Sequence, residues 1–342
     1  MVNSVASIWI DAVVNLGYAL NVFQKTHSYN ILANTWQLGS GLWLWFVLGL
    51  AITAIIATWV SPAALGRSLR DMKGWGVLAA ALLGLVSPLA TYSVIPLAVI
   101  LLRQGAPLMS ITAFMISSPL INPAIFIMTA GGLGIKMAVA RTVASFLLAV
   151  AGGLLAGYFE KRWGSVQGYM REETLTPLRA PFRHYRKSLD GLRSGRYQRI
   201  LAGTETAHDL LYNFAMQLKF AGRYFLLALV ISSAVQELVP PALVMRVLGG
   251  ESWYAVAVAA AAGIPFYTCG GAAIPMMQVL AGMGMGSGAI LTFFIAGPAT
   301  NFSMVLTLAA LFKKNYLGLY YTVAFVGAIG FGYLYQRLVT WG

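Results

Sequence analysis

Two apolar stretches, each broken by proline and asparagine, decide the fold of this chain: ITAFMISSPLINPAI at 111–125 and ILTFFIAGPATNFSM at 290–304. Both are apolar enough to lie in a bilayer, yet Pro119 and Pro298 each remove a helical hydrogen bond. Backbone groups freed inside a membrane are tolerated only where they face protein or a water-filled cavity. The pattern therefore predicts a membrane protein whose helices break at a buried site.

The overall composition agrees with a membrane location. Of the 342 residues, 59% are hydrophobic and 10% are charged, and the mean hydropathy is +0.74. Because a soluble domain carries about 25% charged residues, soluble enzymes and free nucleic-acid-binding proteins are excluded. Several continuous apolar runs reach the ~20 residues of a transmembrane helix. This predicts an all-α polytopic membrane protein.

Polar segments divide the chain into four parts. The expected parts are an N-terminal helix and link at 1–38, a first membrane repeat at 39–158, a basic loop at 159–218 and a second membrane repeat at 219–342. Full transmembrane helices are expected at 39–60, 138–158, 220–239 and 317–334.

The second membrane part repeats the first at a constant offset of 179 residues. Without a gap, 10 of the 39 positions 84–122 are identical to their partners. The informative identities are those of glycine, proline and asparagine, because each of these residues is selected for its particular effect on the backbone. They pair Gly84 with Gly263, Pro96 with Pro275, Gly105 with Gly284, Pro119 with Pro298, and Asn122 with Asn301. The offset indicates an internal duplication.

The basic loop sets the expected orientation of the two repeats. Ten of the 23 cations lie between 161 and 199, which places the loop 159–218 in the cytoplasm of a bacterial-type inner membrane. The helix 39–60 runs toward three cations at 67–73, so the first repeat starts outside and the second starts inside. We therefore expect two inverted repeats. Each would contain about three transmembrane helices plus a re-entrant or broken helix pair, at 75–102 and at 254–283.

Each repeat contains two helix breaks, and these form the candidate substrate site. The first breaks read SPLATYS at 87–93 and FYTCGGA at 266–272, and the second read SSPLIN at 117–122 and AGPATN at 296–301. Paired breaks in corresponding segments of two halves are typical of transporter binding sites, although a single proline commonly does no more than kink a helix. The candidate substrate-binding residues are Asn122, Asn301, Cys269, Thr268, Gly270, Gly271, Pro119, Pro298, Thr300, Thr91 and Ser93.

Charged residues are absent from the sequence around these breaks. The segments 74–102 and 252–312 contain no Asp, Glu, Lys, Arg or His, and no catalytic or metal-binding motif occurs. We therefore expect no enzyme activity, no metal and no cofactor. Cys269, the single cysteine, is either a small buried hydrophobe or a soft ligand near a helix N-terminus. Arg141 is expected to snorkel to the outer surface.

These motifs resemble the YraQ-like predicted permeases, a family that includes exporters of trivalent organoarsenicals. The resemblance is carried by Gly105, Ser118-Pro119 and Asn122-Pro123 in the first repeat, and by Thr268-Cys269-Gly270, Pro275 and 296–301 in the second. It covers roughly 39–158 and 219–338, and it implicates Cys269, Pro298 and Asn301 together with Pro119 and Asn122. Members often carry a Cys-Ser-Cys-Gly-type element at the first break, where this chain has LATYS at 89–93.

The expected function is that of a membrane permease for a small neutral or soft solute, working by alternating access between the broken helices. Organoarsenical-like efflux is what the resemblance implies. Two alternatives stay open: a small-anion transporter or channel, for example for a sulfur oxyanion, and a non-transporting membrane scaffold. The expected partners are membrane lipid and a small-molecule substrate, without nucleic acid, and no oligomeric state is indicated.

Overall fold

The backbone is almost entirely helical, which confirms the predicted helical class. The computed structural model describes residues 27–59, 76–87, 91–103, 106–163, 169–171, 206–250, 252, 254–264, 271, 273–300 and 302–340. Within these residues the helices are α1 (His27–Trp59), α2 (Gly76–Val86), α3 (Thr91–Arg103), α4 (Leu108–Leu120), α5 (Pro123–Leu133), α6 (Ile135–Trp163), α7 (Thr206–Leu238), α8 (Pro241–Leu248), α9 (Ala255–Gly263), α10 (Ala273–Gly282), α11 (Ser287–Thr300), α12 (Phe302–Leu311) and α13 (Lys314–Thr340).

Several of these helices are long and apolar enough to cross a membrane. The five candidate spans in the described residues are His27–Ile56, Leu108–Leu133, Ile135–Arg162, Leu210–Leu238 and Lys314–Val339. Helices α11 and α12, bent by 42° at their junction, would form a sixth if they count as one broken span. The chain is therefore a multi-pass helical membrane protein, and its long helices extend beyond the limits expected from hydropathy alone.

The helix boundaries repeat with the offset found in the sequence. Helices α1, α2, α4, α5 and α6 begin at residues 27, 76, 108, 123 and 135, and α7, α9, α11, α12 and α13 begin at residues 206, 255, 287, 302 and 314. In all five pairs, as for 27 and 206, the starts differ by 179 residues. The same local signals thus start these five helices twice along the chain.

In both repeats a glycine brings a short helix against the broken span. A Cβ on Gly84 of α2 would overlap Ser117 Oγ in α4 and lie 2.9 Å from Ser117 Cβ. A Cβ on Gly263 of α9 would lie 3.0 Å from Gly297 Cα in α11. Only glycine allows an approach this close, because it has no Cβ. The two glycines occupy equivalent positions, so each short helix is held beside the break of its own repeat.

One set of contacts joins the end of α7 to the start of α1 and the end of α13 to the start of α11. Glu237 Oε1, near the end of α7, accepts a hydrogen bond from Asn30 Nδ2 at 2.9 Å and lies 2.7 Å from His27 Nδ1. Gln336, near the end of α13, accepts a hydrogen bond from the backbone N–H of Gly288 at 3.1 Å. The end of α7 therefore meets the start of α1, and the end of α13 meets the start of α11.

A second set involves the start of α4. The Leu108 N–H donates to Glu160 Oε1 near the end of α6 at 3.4 Å, and the hydroxyls of Thr112 and Tyr316 lie 3.0 Å apart. The Tyr169 carbonyl accepts from the Lys313 N–H at 2.8 Å, between α12 and α13. Burial, aided by the nearby Glu160 carboxylate, raises the pKa of the Tyr169 hydroxyl, which therefore stays neutral. The starts of α4 and α13 thus lie beside the end of α6.

Some equivalent residues of the two repeats contact each other. The rings of Phe46 in α1 and Phe225 in α7 stack with their centroids 4.3 Å apart and their planes 5° apart. Leu148 in α6 and Gly327 in α13 are also equivalent, and a Cβ on Gly327 would overlap Leu148 Cδ1. The repeats therefore meet along α1 with α7 and along α6 with α13, while α4 contacts α11 between them.

Replacing Gly84 by alanine tests the packing of α2 on α4. We expect Gly84→Ala to lower the free energy of unfolding by about 1–3 kcal/mol, because the new methyl group overpacks against Ser117. Thermal unfolding in detergent, followed by intrinsic fluorescence, measures this. The matched control is Gly318→Ala in α13, where an added Cβ has no heavy atom within 4 Å. An equal change in both variants would contradict the close packing described for Gly84.

Candidate functional site

The broken span of the first repeat is interrupted at Ile121 and Asn122. Both residues have an extended backbone, and Asn122 is the N-cap of α5, where its Oδ1 accepts a hydrogen bond from the Ile125 N–H at 2.9 Å. Pro123 occupies the first position of α5, where a backbone N–H is not needed. Asn122 thus satisfies one unpaired donor of α5, and its Nδ2 makes no hydrogen bond within the described part of the chain.

The broken span of the second repeat is interrupted at the equivalent place. Helix α11 ends at Thr300, which is 4% exposed and whose Oγ1 donates to the Ala296 carbonyl at 2.7 Å. Helix α12 begins at Phe302. Pro298 is buried inside α11, as Pro119 is inside α4. Both breaks therefore follow a buried proline, as the sequence predicts.

The other predicted breaks separate the short helices. Helix α2 ends at Val86 and α3 begins at Thr91, while α9 ends at Gly263 and α10 begins at Ala273. Thr91 and Ser93 fall in the first turn of α3, where only the backbone is described. The candidate residues Thr268, Cys269, Gly270 and Asn301 lie outside the described residues.

The breaks lie where the two repeats meet. Helix α4 contacts α11, and the second short helix of each repeat contacts the second half of the other repeat's broken span, α10 with α5 and α3 with α12. A Cβ on Gly271, just before α10, would lie 3.4 Å from Met128 Sδ in α5. The structure therefore brings Gly271 of the second repeat to the helix that Asn122 caps in the first.

Arg141 is buried beside this interface, so the expectation that it snorkels to the surface is wrong. Its side chain is 0% exposed, and Nη1 donates to Thr129 Oγ1 in α5 at 3.1 Å. The guanidinium carbon lies 4.1 Å from the ring centroid of Phe294 in α11, within the range of a cation–π interaction. Arg141 thus joins α6 and α5 of the first repeat to α11 of the second.

The signal for Arg141 was present in the sequence. An ionisable residue within an apolar span is a functional candidate by default, because burying its charge is costly. At the equivalent position of the second repeat, α13 carries Tyr320, which is also 0% exposed. Across the residues with described positions, no group of three or more His, Cys, Asp or Glu could hold a metal ion.

Comparison with known proteins finds similarity to a family of predicted permeases. The sequence profile of the family ArsP_1, described as predicted permease, matches residues 30–337. The chain is 28% identical over 106 residues to UPF0718 protein MJ0584 of Methanocaldococcus jannaschii, which covers 30% of this chain and 29% of that protein. It is 30% identical over 105 residues to UPF0718 protein YcgR of Bacillus subtilis, with 31% and 36% covered. Each match thus spans a minor part of the relative's length. No solved structure matches the chain.

Replacing Asn122 by aspartate separates a helix cap from a residue that faces a substrate. Aspartate caps a helix about as well as asparagine, so abundance and melting temperature should stay near those of the unmodified protein. If the break lines a cavity for an uncharged or anionic solute, the added charge should reduce the initial flux at least about tenfold, because burying an unpaired charge costs well over ~1.4 kcal/mol. We expect Asn301→Asp to be at least as severe.

Flux into vesicles that contain equal amounts of each variant measures the effect. Asn315→Asp serves as the matched control, since Asn315 is an exposed residue in the first turn of α13. Normal flux in the Asn122→Asp, Asn301→Asp double variant would mean that the asparagines are only caps and that the site lies elsewhere.

Proposed function

The chain belongs to the ArsP_1 family of predicted permeases, and from this premise we propose that its two repeats alternately open one substrate site to the two sides of the membrane. One observation carries the proposal: each repeat has a broken span and a pair of short helices at equivalent positions, and these meet across the repeat interface. Matched breaks in two halves are typical of transporter sites. A non-transporting scaffold would gain nothing from breaks that cost helical hydrogen bonds.

The contacts between equivalent residues support inverted repeats. A two-fold axis brings equivalent residues into mutual contact, and Phe46 with Phe225 is such a contact. Helices α1 and α7 run antiparallel, because His27 at the start of α1 meets Glu237 near the end of α7. A two-fold axis between antiparallel helices is perpendicular to them and therefore lies in the membrane plane. We retain a cytoplasmic basic segment and the two flanking membrane repeats as part of this proposal. Because α6 extends to Trp163 and α7 begins at Thr206, this segment is shorter than the expected loop 159–218.

A difference in packing between the repeats supports two conformations. Helix α1 packs along α5 of its own repeat, whereas its equivalent α7 packs on α10 rather than along α12. In the first repeat the position of a Cβ on Gly49 lies 3.2 Å from Ala124 Cβ. If the repeats exchanged these packings, the site would open on the opposite side, because the repeats are inverted. A substrate that binds both conformations would then be carried across.

Disulfide trapping tests this exchange in a Cys269→Ser background. The pair Gly49→Cys and Ala124→Cys should cross-link in the described conformation, since disulfide-bonded Cβ atoms lie ~3.8 Å apart. The equivalent pair, Ala228→Cys and Ser303→Cys, should cross-link in the other conformation. Gel mobility in membranes measures both. Each disulfide should stop transport and reduction should restore it.

Cross-linking of the second pair decides whether the repeats exchange their packing. If the pair at 49 and 124 forms a disulfide completely while the pair at 228 and 303 never does so during active transport, the repeats do not exchange their packing. The first pair is the control for oxidation, since its two Cβ positions lie close together in the described conformation.

For the substrate we propose a small neutral or soft solute, exported from the cell. This is supported by the uncharged residues around the breaks, where no Asp, Glu, Lys, Arg or His occurs between 252 and 312. A small anion such as a sulfur oxyanion is the second candidate, and one observation favours it. Arg141 places a positive charge in the protein interior, against Phe294 of the broken span.

Flux into proteoliposomes distinguishes the two substrates. Phenylarsine oxide serves as the neutral soft solute and thiosulfate as the anion. A neutral solute should move independently of membrane potential, whereas 100 mV is worth about 2.3 kcal/mol for each charge moved. Arg141→Met should leave the protein folded, since it removes a buried charge that is costly to desolvate and keeps an unbranched apolar side chain. It should change the flux of the neutral solute by no more than about twofold. This corresponds to much less free energy than the ~1.4 kcal/mol of a tenfold change.

The results assign the substrate as follows. Potential-dependent thiosulfate flux that disappears in Arg141→Met would establish the anion carrier and overturn the neutral solute. Phenylarsine oxide flux that persists in Arg141→Met supports the neutral solute. Absence of flux for both solutes, in protein that remains folded, would favour the scaffold.

A further inference from the structure

An apolar cavity of about 330 Å³ lies in the second repeat, beside the short helices α9 and α10. Helices α7, α8, α9, α10 and α11 all contribute to its wall. Every described residue in that wall is apolar. Because such a wall offers no hydrogen-bond partner, a polar group inside would cost roughly 2–7 kcal/mol.

Three methionines set this cavity apart from the same place in the first repeat. Met276 and Met277 of α10 and Met285 after it line the cavity together with Phe293. At the offset of 179, the equivalents of the three methionines are Leu97, Ala98 and Ala106, all of them buried. Packing at these positions is thus satisfied without sulfur. Thioethers are flexible and polarizable, adapt to irregular ligands and contact aromatic rings favourably.

The cavity opens between apolar side chains beside the end of the candidate span Leu210–Leu238. Leu243 of α8 lines the cavity and is 53% exposed, while Met245 of the same helix is 60% exposed. Leu238, at the end of α7, is 62% exposed. Helix α8 also carries the exposed Arg246 in its last turn, as expected of a short helix at the lipid–water interface. A ligand would therefore enter from the lipid phase.

We propose that this cavity binds a small uncharged apolar solute that has partitioned into the membrane. Its volume falls at the lower end of small-molecule sites, which measure about 300–1,000 Å³. Helix α10, which carries Met276 and Met277, contacts α5, the helix that Asn122 caps. The cavity therefore lies beside one of the broken spans, and a role as lipid-side access to the transport site rests on the proposed function.

Photolabelling of the purified full-length chain tests the proposal. Adamantyl diazirine, a compact uncharged hydrocarbon probe, should label peptides of α8 and α10 in mass spectrometry. Adamantane should compete with the probe, whereas its carboxylate should not. Ala262→Phe places a ring in the cavity from α9. Because the ring would occupy the space that the probe needs, labelling should fall at least about tenfold. The matched control is Ala261→Phe on the exposed face of the same helix.

Leu243→Trp at the mouth is a second variant, chosen because an exposed position tolerates replacement if Ala262→Phe does not fold. Labelling that is scattered over the chain, or unchanged in both blocked variants, would overturn the proposal. Labelling seen in detergent but lost in phospholipid vesicles would assign the cavity to a lipid acyl chain, and would also overturn it. Labelling that persists in vesicles and disappears in the blocked variants is the expected result.

Transport assays on the same protein keep the two proposals apart. If the probe does not label the cavity while solute flux is intact, only the cavity proposal fails. If labelling is as expected but no solute is transported, the permease proposal fails and the binding site stands.

Discussion

A helix that breaks inside a membrane leaves N–H and C=O groups that lipid cannot satisfy, and the rest of this structure depends on how they are covered. In the first repeat the Asn122 side chain caps α5. Thr300 Oγ1 in α11 donates to the Ala296 carbonyl one turn back, and Ser117 Oγ in α4 likewise donates to the Ala113 carbonyl. Short helices then pack over both ends through Gly84 and Gly263. Protein contacts thus support both breaks.

The same requirement explains why the chain contains two repeats. Helix α5 is covered by α10 and α12 by α3, so each broken span relies on a short helix of the other repeat. A single repeat would expose these surfaces to lipid. The contacts at Phe46 with Phe225 and at Leu148 with Gly327 then fix the repeats to each other away from the breaks. Stability and the candidate site therefore share one interface.

The features that could be predicted from the sequence depend on neighbouring residues, whereas the features that were missed depend on contacts between residues far apart in the chain. The breaks were predictable because proline and asparagine act locally. The helices continue through Pro119 and Pro298, however, and end only at Leu120 and Thr300, within the last residues of the predicted segments 117–122 and 296–301. The burial of Arg141 was missed, although a charge inside an apolar span is visible in the sequence. Its contact with Phe294 of the other repeat is a long-range feature that no local pattern encodes. Asn122 could be named from the sequence as a cap or a cavity residue, and the structure shows the cap. The apolar cavity had no sequence signal, since scattered methionines are ordinary in membrane helices.

The residues that remain identical in the two repeats and those that differ have separate physical roles. A carrier must hold two conformations within a few kcal/mol of each other, so the residues that shape both breaks should be the same in each repeat. Gly84 with Gly263 meets this requirement, as do the paired prolines and asparagines. Side chains that select a solute need no such equality. At the offset of 179 residues, Arg141 corresponds to Tyr320, and the methionines that line the cavity correspond to leucine and alanine. The differences thus lie beside the breaks, where a single asymmetric solute would contact the two repeats differently.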